Sequence, residues 1–356
     1  MKRVETLNVY HIPSGRGIRE PAYGPMKARI DADGRAARNR GRVGAHPRPA
    51  NFFATMNLIE TRKLSRWYGM ADGVHGLALT VPQGSMCLLL GGSGAGKSTA
   101  TKVLMNLLRP SEGEAFVLGV DSRRLGPREF AQIGYLAEDQ TPPMHLTVRE
   151  WLDDCRPFYP TWDGQLERML LKQFALPLDR KLRLISRGMR VKAALLTVLA
   201  FRPKLVVLDE PFDGLEAPVV AECVRGLATV AAAGECTVLA AVSEVGEFEP
   251  LVTRVALLDQ GRLSLNESVE ELRARFRQVE VTGAEAHAGP AADWLEWEDT
   301  RERVRFVEPR YAGEPTERAW RERFPRATVT ARPMTLREIH LSMVRSGRVV
   351  KKAEAA

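Results

Sequence analysis

Histidine is scarce and unevenly spread in this 356-residue chain. Its six histidines, His11, His46, His75, His145, His287 and His340, leave positions 146–286 without one. Any chemistry in that stretch runs without an imidazole as base, ligand or cation. Cysteine is equally thin: Cys87, Cys155, Cys223 and Cys236 lie far apart with no C-x-x-C pair. That spacing excludes a disulfide framework or a thiolate metal site and reads as four reduced thiols of a cytoplasmic protein. Long apolar runs are missing too. The longest, Ala193–Phe201, is interrupted by Thr197, whereas a membrane-spanning helix needs roughly 20 apolar residues. The chain is not expected to cross a bilayer by itself.

The positive charge is local. Of the net +8, residues 1–55 contribute 11 Lys+Arg against four acids, which leaves a net +1 for residues 56–356. A nearly neutral body gives no electrostatic case for a specific nucleic-acid partner. Residues 1–55 are rich in Gly, Pro and Arg, lack a sustained period of 2 or 3.6, and are expected to be a disordered basic extension. They contain no apolar run of the secretory type. Strand-like alternation begins at "MNLIETRKLSRWYG", so Met56 is the expected natural start, with residues 1–55 an over-extended reading frame. Peptides from 1–55 in the native protein would refute that.

What the chain does have is a phosphate loop. "GGSGAGKS", Gly91–Ser98, fits G-x-x-x-x-G-K-[ST] between an apolar strand, Met86–Leu90, and an expected helix, Thr101–Leu108. Strand, loop and helix in that order are the context the motif requires. The backbone of Gly91, Gly92, Ser93, Gly94, Ala95 and Gly96 turns its N–H groups toward phosphate oxygens, and the helix N-terminus adds partial positive charge. Lys97 is expected at the β- and γ-phosphates and Ser98 on Mg²⁺, followed by Thr99. Further on, the strand Leu205–Leu208 ends in Asp209 and Glu210. A carboxylate there can hold Mg²⁺, assigned to Asp209, and a second can polarise the attacking water, assigned to Glu210. Between them, "LISRGMRVKAALLTVLAFRP" reads as a helix over Met189–Phe201, capped by Ser186, with Gly188 admitting close backbone approach.

Together these pieces resemble the ATP-binding subunit of an ABC transporter over about residues 58–265. "GGSGAGKST" resembles its Walker A, "LVVLDEP" its Walker B, "LISRGM" its LSGGQ signature through Ser186 and Gly188, and "DGLE" its D-loop. "RWYG" resembles the adenine-stacking turn, with Tyr68 as the aromatic, and "IGYLAED" the Q-loop. The signature "SRGM", the "YLAED" stretch and the closing "TLREIHLSMV" (Thr335–Val344) look like ABC-2-type exporters, whose ATP-binding protein is a separate chain. The resemblance implies ATP and Mg²⁺, a second ATP-binding subunit in a homo- or heterodimer, a separately encoded multi-span permease, and a peripheral place on the inner face of the cell membrane. The alternatives are a soluble ATPase of the same family or an ATP-sensing regulatory subunit.

The implied fold is α/β: a P-loop core over 56–270, an inserted helical subdomain at about 142–190, and a small α+β domain over 271–356. Val148, Trp151, Leu152, Leu166, Met169, Leu170 and Phe174 recur at helical spacing in the insert. Trp151, Phe158, Tyr159 and Trp162 are candidates for a permease-receiving groove or for core. In the tail, "RQVEVTG" and "RVRFVEP" read as strands and Glu314–Phe324 as a polar helix. The arginines around Trp320 read as a solvated face or an acidic-lipid surface.

Four departures from the family pattern stand out, one being Glu216 in place of the aspartate that ends the D-loop, one methylene longer. Glu138 occupies the Q-loop position, where a carboxylate would reach Mg²⁺ through water; Gln140, two residues on, fits the alignment less well. Arg187 and Met189 replace a glycine and a glutamine in the signature. After the strand Thr237–Val242, Ser243 stands where the family carries the histidine that contacts the γ-phosphate. Serine donates one hydrogen bond but carries no positive charge. The expectation is that ATP binds well and is hydrolysed slowly.

Overall fold

A computed structural model of the chain describes residues 56–68, 71–137, 139–232, 236–283, 289–300 and 302–346. The expectations for residues 1–55 and for Glu138 lie outside these residues. Fifteen strands and nine helices are arranged around three sheets among the described residues.

The first sheet is antiparallel. Strands β1 (Asn57–Tyr68), β2 (Ala71–Leu77), β3 (Thr80–Pro82), β5 (Glu112–Val117) and β6 (Val120–Asp121) run in the order β2-β1-β5-β6, with β3 also on β1. The second sheet holds β4 (Met86–Leu90), β7 (Ile133–Ala137), β8 (Leu205–Asp209), β9 (Thr237–Val242), β10 (Arg254–Asp259) and β11 (Arg262–Ser268) in the order β11-β10-β4-β9-β8-β7. All neighbours are parallel except β11 on β10. Strands β4, β8 and β9 are buried at every position. That is why they are continuous runs of Leu, Val and Ala and do not alternate. Their register is level: Leu90 faces Val242, and Ala241 faces Asp209. The three chains therefore leave the sheet side by side, into the phosphate loop, Ser243 and Glu210. Ligands of open α/β sheets sit at these carboxyl ends.

Helix α1 (Lys97–Leu104) begins four residues before the expected Thr101 and ends four before Leu108. The lysine of the loop is already its first residue. Asn106 then adopts a left-handed φ of 57°, which stops the helix. A short α2 (Pro127–Phe130) precedes β7. The insert folds as α3 (Val148–Cys155) and α4 (Gly164–Gln173), followed by α5 (Arg187–Leu199), which runs back into the core. Val148, Trp151, Leu152, Leu166, Leu170 and Phe174 are buried, but Met169 is 46% exposed and faces solvent. Helix α6 (Ala217–Ala231) packs Gly226 against the Phe174 ring, where a Cβ would lie 2.5 Å from Cζ.

Helix α7 (Val269–Arg275) spans residue 270, and a four-stranded antiparallel sheet follows. It holds β12 (Arg277–Thr282), β13 (Leu295–Asp299), β14 (Arg303–Glu308) and β15 (Thr328–Pro333) in the order β13-β14-β12-β15, with α8 (Glu314–Arg323) and α9 (Leu336–Ser346). Trp320 is buried and packs on Tyr311 and Phe306. Trp320 itself is core, while the arginines around it form a solvated face: Arg318 and Arg321 of α8 are exposed and pair with Glu322, Glu314 and Glu317. Among the described residues no helix is long and apolar enough to cross a membrane.

Candidate functional site

The loop after β4 closes on itself and on the first sheet. The Ala95 N–H donates to the Gly92 carbonyl at 3.2 Å, and the Ala95 carbonyl accepts from Gly261 N–H at 3.0 Å. Gly96 has φ of 101°, and a Cβ there would lie 2.2 Å from the Gly73 carbonyl oxygen. Only glycine fits the last turn before α1. Gly92, Ser93 and Gly94 are exposed at the mouth of the loop, and Gly91 is buried beneath it.

Lys97 is 4% exposed, and its ammonium donates to the carbonyls of Gly91 (2.7 Å) and Gly92 (2.9 Å) and pairs with Glu210 Oε1 (2.8 Å). All three ammonium donors are engaged. Ser98 Oγ donates to Asp209 Oδ1 at 2.8 Å. Asp209 is 2% exposed, and burial raises its carboxyl above the ordinary value, opposed by the hydroxyls of Ser98 and Thr101. Glu210 is held at a left-handed φ of 47°, with its N–H on the Ala241 carbonyl at 2.9 Å. A non-glycine residue held in that region is strained by about 1–3 kcal/mol, and such strain collects at functional sites.

Phosphate and metal both fit these residues. Helix α1 has no side-chain cap and no acid in its first turn, so its N–H groups are available to an anion. A buried carboxylate beside a hydroxyl is a hard-oxygen donor set suited to Mg²⁺, which completes its shell with substrate phosphates and water. Among the described residues no group of three or more His, Cys, Asp or Glu forms a protein-only metal cage. Tyr68 is 42% exposed, with Arg66 5.0 Å above its ring. A Cβ at Gly73 would meet Thr99 Cγ2 at 3.1 Å and Tyr68 Cε2 at 3.2 Å, so the ring stands beside the first turn of α1. Ser243 is exposed directly after β9.

The signature turn is capped as expected, and its glycine lies against α6. Ser186 Oγ accepts from Met189 N–H at 3.2 Å and caps α5. A Cβ at Gly188 would lie 2.9 Å from Val219 Cγ1, so this glycine admits α6. Trp151 is buried, Tyr159 stacks on Phe201 at 4.0 Å, and Trp162 donates to Glu167 at 2.7 Å. None of these lines the cleft beside the site. That cleft is lined instead by Gln140, Thr141, Met144, Arg187, Arg190 and Pro211, among others. Gln140 Nε2 is buried there with no hydrogen-bond partner. Of these, Arg187 belongs to the signature stretch and Gln140 lies two residues past the Q-loop position Glu138, whereas no motif marks Thr141, Met144, Arg190 or Pro211.

Residues 74–213 match the family model described as ABC transporter. The daunorubicin resistance ATP-binding protein DrrA2 of Streptomyces coeruleorubidus is 32% identical over 225 residues, which cover 60% of this chain and 68% of that protein. The chain belongs to the ATP-binding subunits of ABC transporters. It shares 27% identity over 222 residues, 62% of this chain and 89% of the other, with the aliphatic sulfonates import ATP-binding protein SsuB of Zymomonas mobilis subsp. mobilis. A solved structure titled as the ATP binding subunit of an ABC transporter superposes with a TM-score of 0.54 at 25% identity, over 61% of this chain and 92% of that one. This ABC subunit is a P-loop α/β ATPase that binds ATP.

Proposed function

We propose that this ABC subunit drives an ABC-2-type exporter by clamping ATP and Mg²⁺ between two ATP-binding subunits, like or unlike, and passing the closure to a separately encoded permease. One observation carries the reading: the chain has one phosphate loop and one signature turn, and they do not close on each other. Ser186 and Arg187 are exposed at the start of α5, and among the described residues no hydrogen bond or ion pair joins Ser186–Gly188 to Gly91–Thr99. A signature turn free of its own loop suits a partner's nucleotide. Lys97, once released from Glu210, holds the β- and γ-phosphates. Tyr68 stacks on the base, and Gly91–Gly96 with Ser98 and Thr99 cradle the phosphates. Ser98 and Asp209, with Glu138 by way of water, would hold a Mg²⁺ ion, which would supply charge neutralisation for the phosphates. Glu210 orients the attacking water.

The cleft of Gln140, Thr141, Met144, Arg187 and Arg190 receives a permease segment. A subunit coupled in this way works on the inner face of the membrane. The export direction rests on "SRGM", "YLAED" and "TLREIHLSMV", since relatives of this family include an import protein by name. Recovery of the tagged chain from membranes should bring down one protein with several hydrophobic spans. Recovery with ribosomes or DNA would overturn the transport reading.

Ser243 sets the rate. A missing γ-phosphate contact in a dry site costs on the order of 10²-fold in turnover. The expected result is that Ser243→His raises steady-state ATPase activity, with ATP affinity little changed. A His variant no faster than the parent removes Ser243 as the limit.

A further inference from the structure

Helix α9 caps itself incompletely. Thr335 Oγ1 accepts from Glu338 N–H at 3.2 Å, and Glu338 Oε2 accepts from Thr335 N–H at 2.8 Å. This reciprocal pair leaves the N–H of Leu336, first residue of the helix, without an intrahelical partner. That N–H donates across the chain to Glu249 Oε1 at 2.8 Å. The same oxygen lies 3.4 Å from Arg273 Nη2 on α7. One carboxylate thus holds α7, which precedes the C-terminal sheet, and α9, which follows it, and it sits at the positive end of the α9 dipole.

Glu249 belongs to the segment that leaves β9 through Ser243. Along that segment Val245 and Phe248 are buried, while Ser243 and Glu244 are exposed. The Phe248 ring stacks on Phe212, 5.8 Å between centroids and 21° between planes, and Phe212 is the second residue after Glu210. Glu244 also faces α9, as the charged neighbour of His340, which is 5% exposed. The segment is therefore pinned in the sheet at Val242, on the turn after Glu210 through Phe248, and on the C-terminal module through Glu249.

We propose that Glu249 is a positioning residue through which the C-terminal module sets the placement of Ser243 and of the turn after Glu210, and thereby the ATPase rate. The proposal rests on Glu210 and Ser243 facing the γ-phosphate as read above. It adds that a module outside the ATP-binding cassette governs them. The Glu249 bond to the N-terminus of α9 is a charged hydrogen bond, the kind that is strong and directional; a second charged tie runs through Arg275, which pairs with Glu267 of β11 and donates to the Pro309 carbonyl of the module.

The test uses the full chain with Glu249→Ala, Glu249→Gln and, in parallel, Lys97→Ala. It reads kcat, KM, equilibrium binding of a fluorescent ATP analogue with Mg²⁺, and thermal unfolding. Glu249→Ala is expected to lower kcat about tenfold while KM and the nucleotide Kd stay within about twofold. Glu249→Gln keeps an acceptor for Leu336 N–H without the charge and is expected to recover kcat to about threefold below the parent. Unchanged kcat in Glu249→Ala overturns the proposal, as does a fall in kcat matched by an equal loss of ATP affinity. If Glu249→Ala does not fold, Glu249→Gln decides, and a kcat equal to the parent's overturns it. If Lys97→Ala binds nucleotide as well as the parent does, the underlying site reading has failed, whatever Glu249 does.

Discussion

The strongest tension at the level of single residues lies at Asp209 and Glu210. Asp209 is almost fully buried, and burial, opposed by the Ser98 and Thr101 hydroxyls and aided by the neighbouring Glu210 charge, raises its carboxyl above 3.8. The sign follows from linkage. A carboxyl whose folded-state pKa is raised costs stability once ionised, and the cost disappears as pH falls to its unfolded value. Asp209→Asn should therefore raise the Tm of the nucleotide-free protein at pH 7 by about 2–4 °C. The gain should shrink toward pH 4, and Mg²⁺-dependent turnover should be lost. Differential scanning calorimetry across pH checks this, and no gain at pH 7 contradicts it. Glu210 presents the second tension, since its carboxylate occupies one of the three donors of the Lys97 ammonium. Glu210→Gln removes that competing charge and the repulsion toward a triphosphate. ATP should bind several-fold tighter while kcat falls by on the order of 10²-fold or more. Weaker ATP binding in this variant would show that the ion pair helps, and does not hinder, nucleotide entry.

Elements divide into those whose sequence carries its own boundary and those bounded from outside. Strands β4 and β9 are legible to the residue, because a fully apolar run flanked by glycine or polar residues fits only a strand buried on both faces. Helix α5 is legible at its start because Ser186 is a side-chain cap. Helix α1 is not, because its first residues, Lys97–Ser98, belong in the sequence to the loop motif, and its end is a left-handed Asn106 with no glycine to announce it. Strands β13 and β15 carry a weak apolar signal: "LEWED" alternates only Leu295 and Trp297 among acids, "TVTARP" has Val329 and ends in proline, and both are edge strands. The Lys97, Ser98, Asp209 and Glu210 constellation can be read from motifs. The Phe212–Phe248 stack and the Glu249 bond to α9 cannot, since they join residues far apart in the chain by packing alone. The insert also hides a polar centre. Glu167, 6% exposed, accepts from Arg156 at 2.9 and 2.7 Å and from Trp162 Nε1 at 2.7 Å. Burial works against its charge, but those donors win and hold the carboxyl below its ordinary 4.5. The network's contribution is therefore present above that value and lost as pH falls through the depressed one. Arg156→Met should destabilise the insert by about 2–4 kcal/mol by stranding a buried carboxylate. Urea unfolding followed by Trp fluorescence checks this, and a change below about 1 kcal/mol would mean that Trp162 and solvent suffice.

For the molecule as a whole, the question is how firmly the C-terminal module stays docked on the cassette, and His340 makes that depend on pH. Burial lowers its pKa from the ordinary 6.5, and the facing Glu244 charge opposes this only in part. The unfolded or undocked chain therefore takes up a proton more readily than the docked one. The docked state is fully stable above the ordinary value and loses stability as pH falls below 6.5. One such group changes an opening equilibrium by at most about tenfold per pH unit. Hydrogen exchange resolves this where global unfolding does not, because local opening of α9 is read at its own amides. Between pH 7.5 and 5.5, corrected for intrinsic exchange, protection of Leu336–Ser346 should fall by up to about tenfold per unit below 6.5, while β4, β8 and β9 stay protected. His340→Gln should flatten that profile. If α9 protection is pH-independent in the parent, or falls equally in the variant, then His340 does not control docking. In that case docking rests on contacts that do not titrate in this range, the buried Leu336, Ile339 and Met343 of α9 among them.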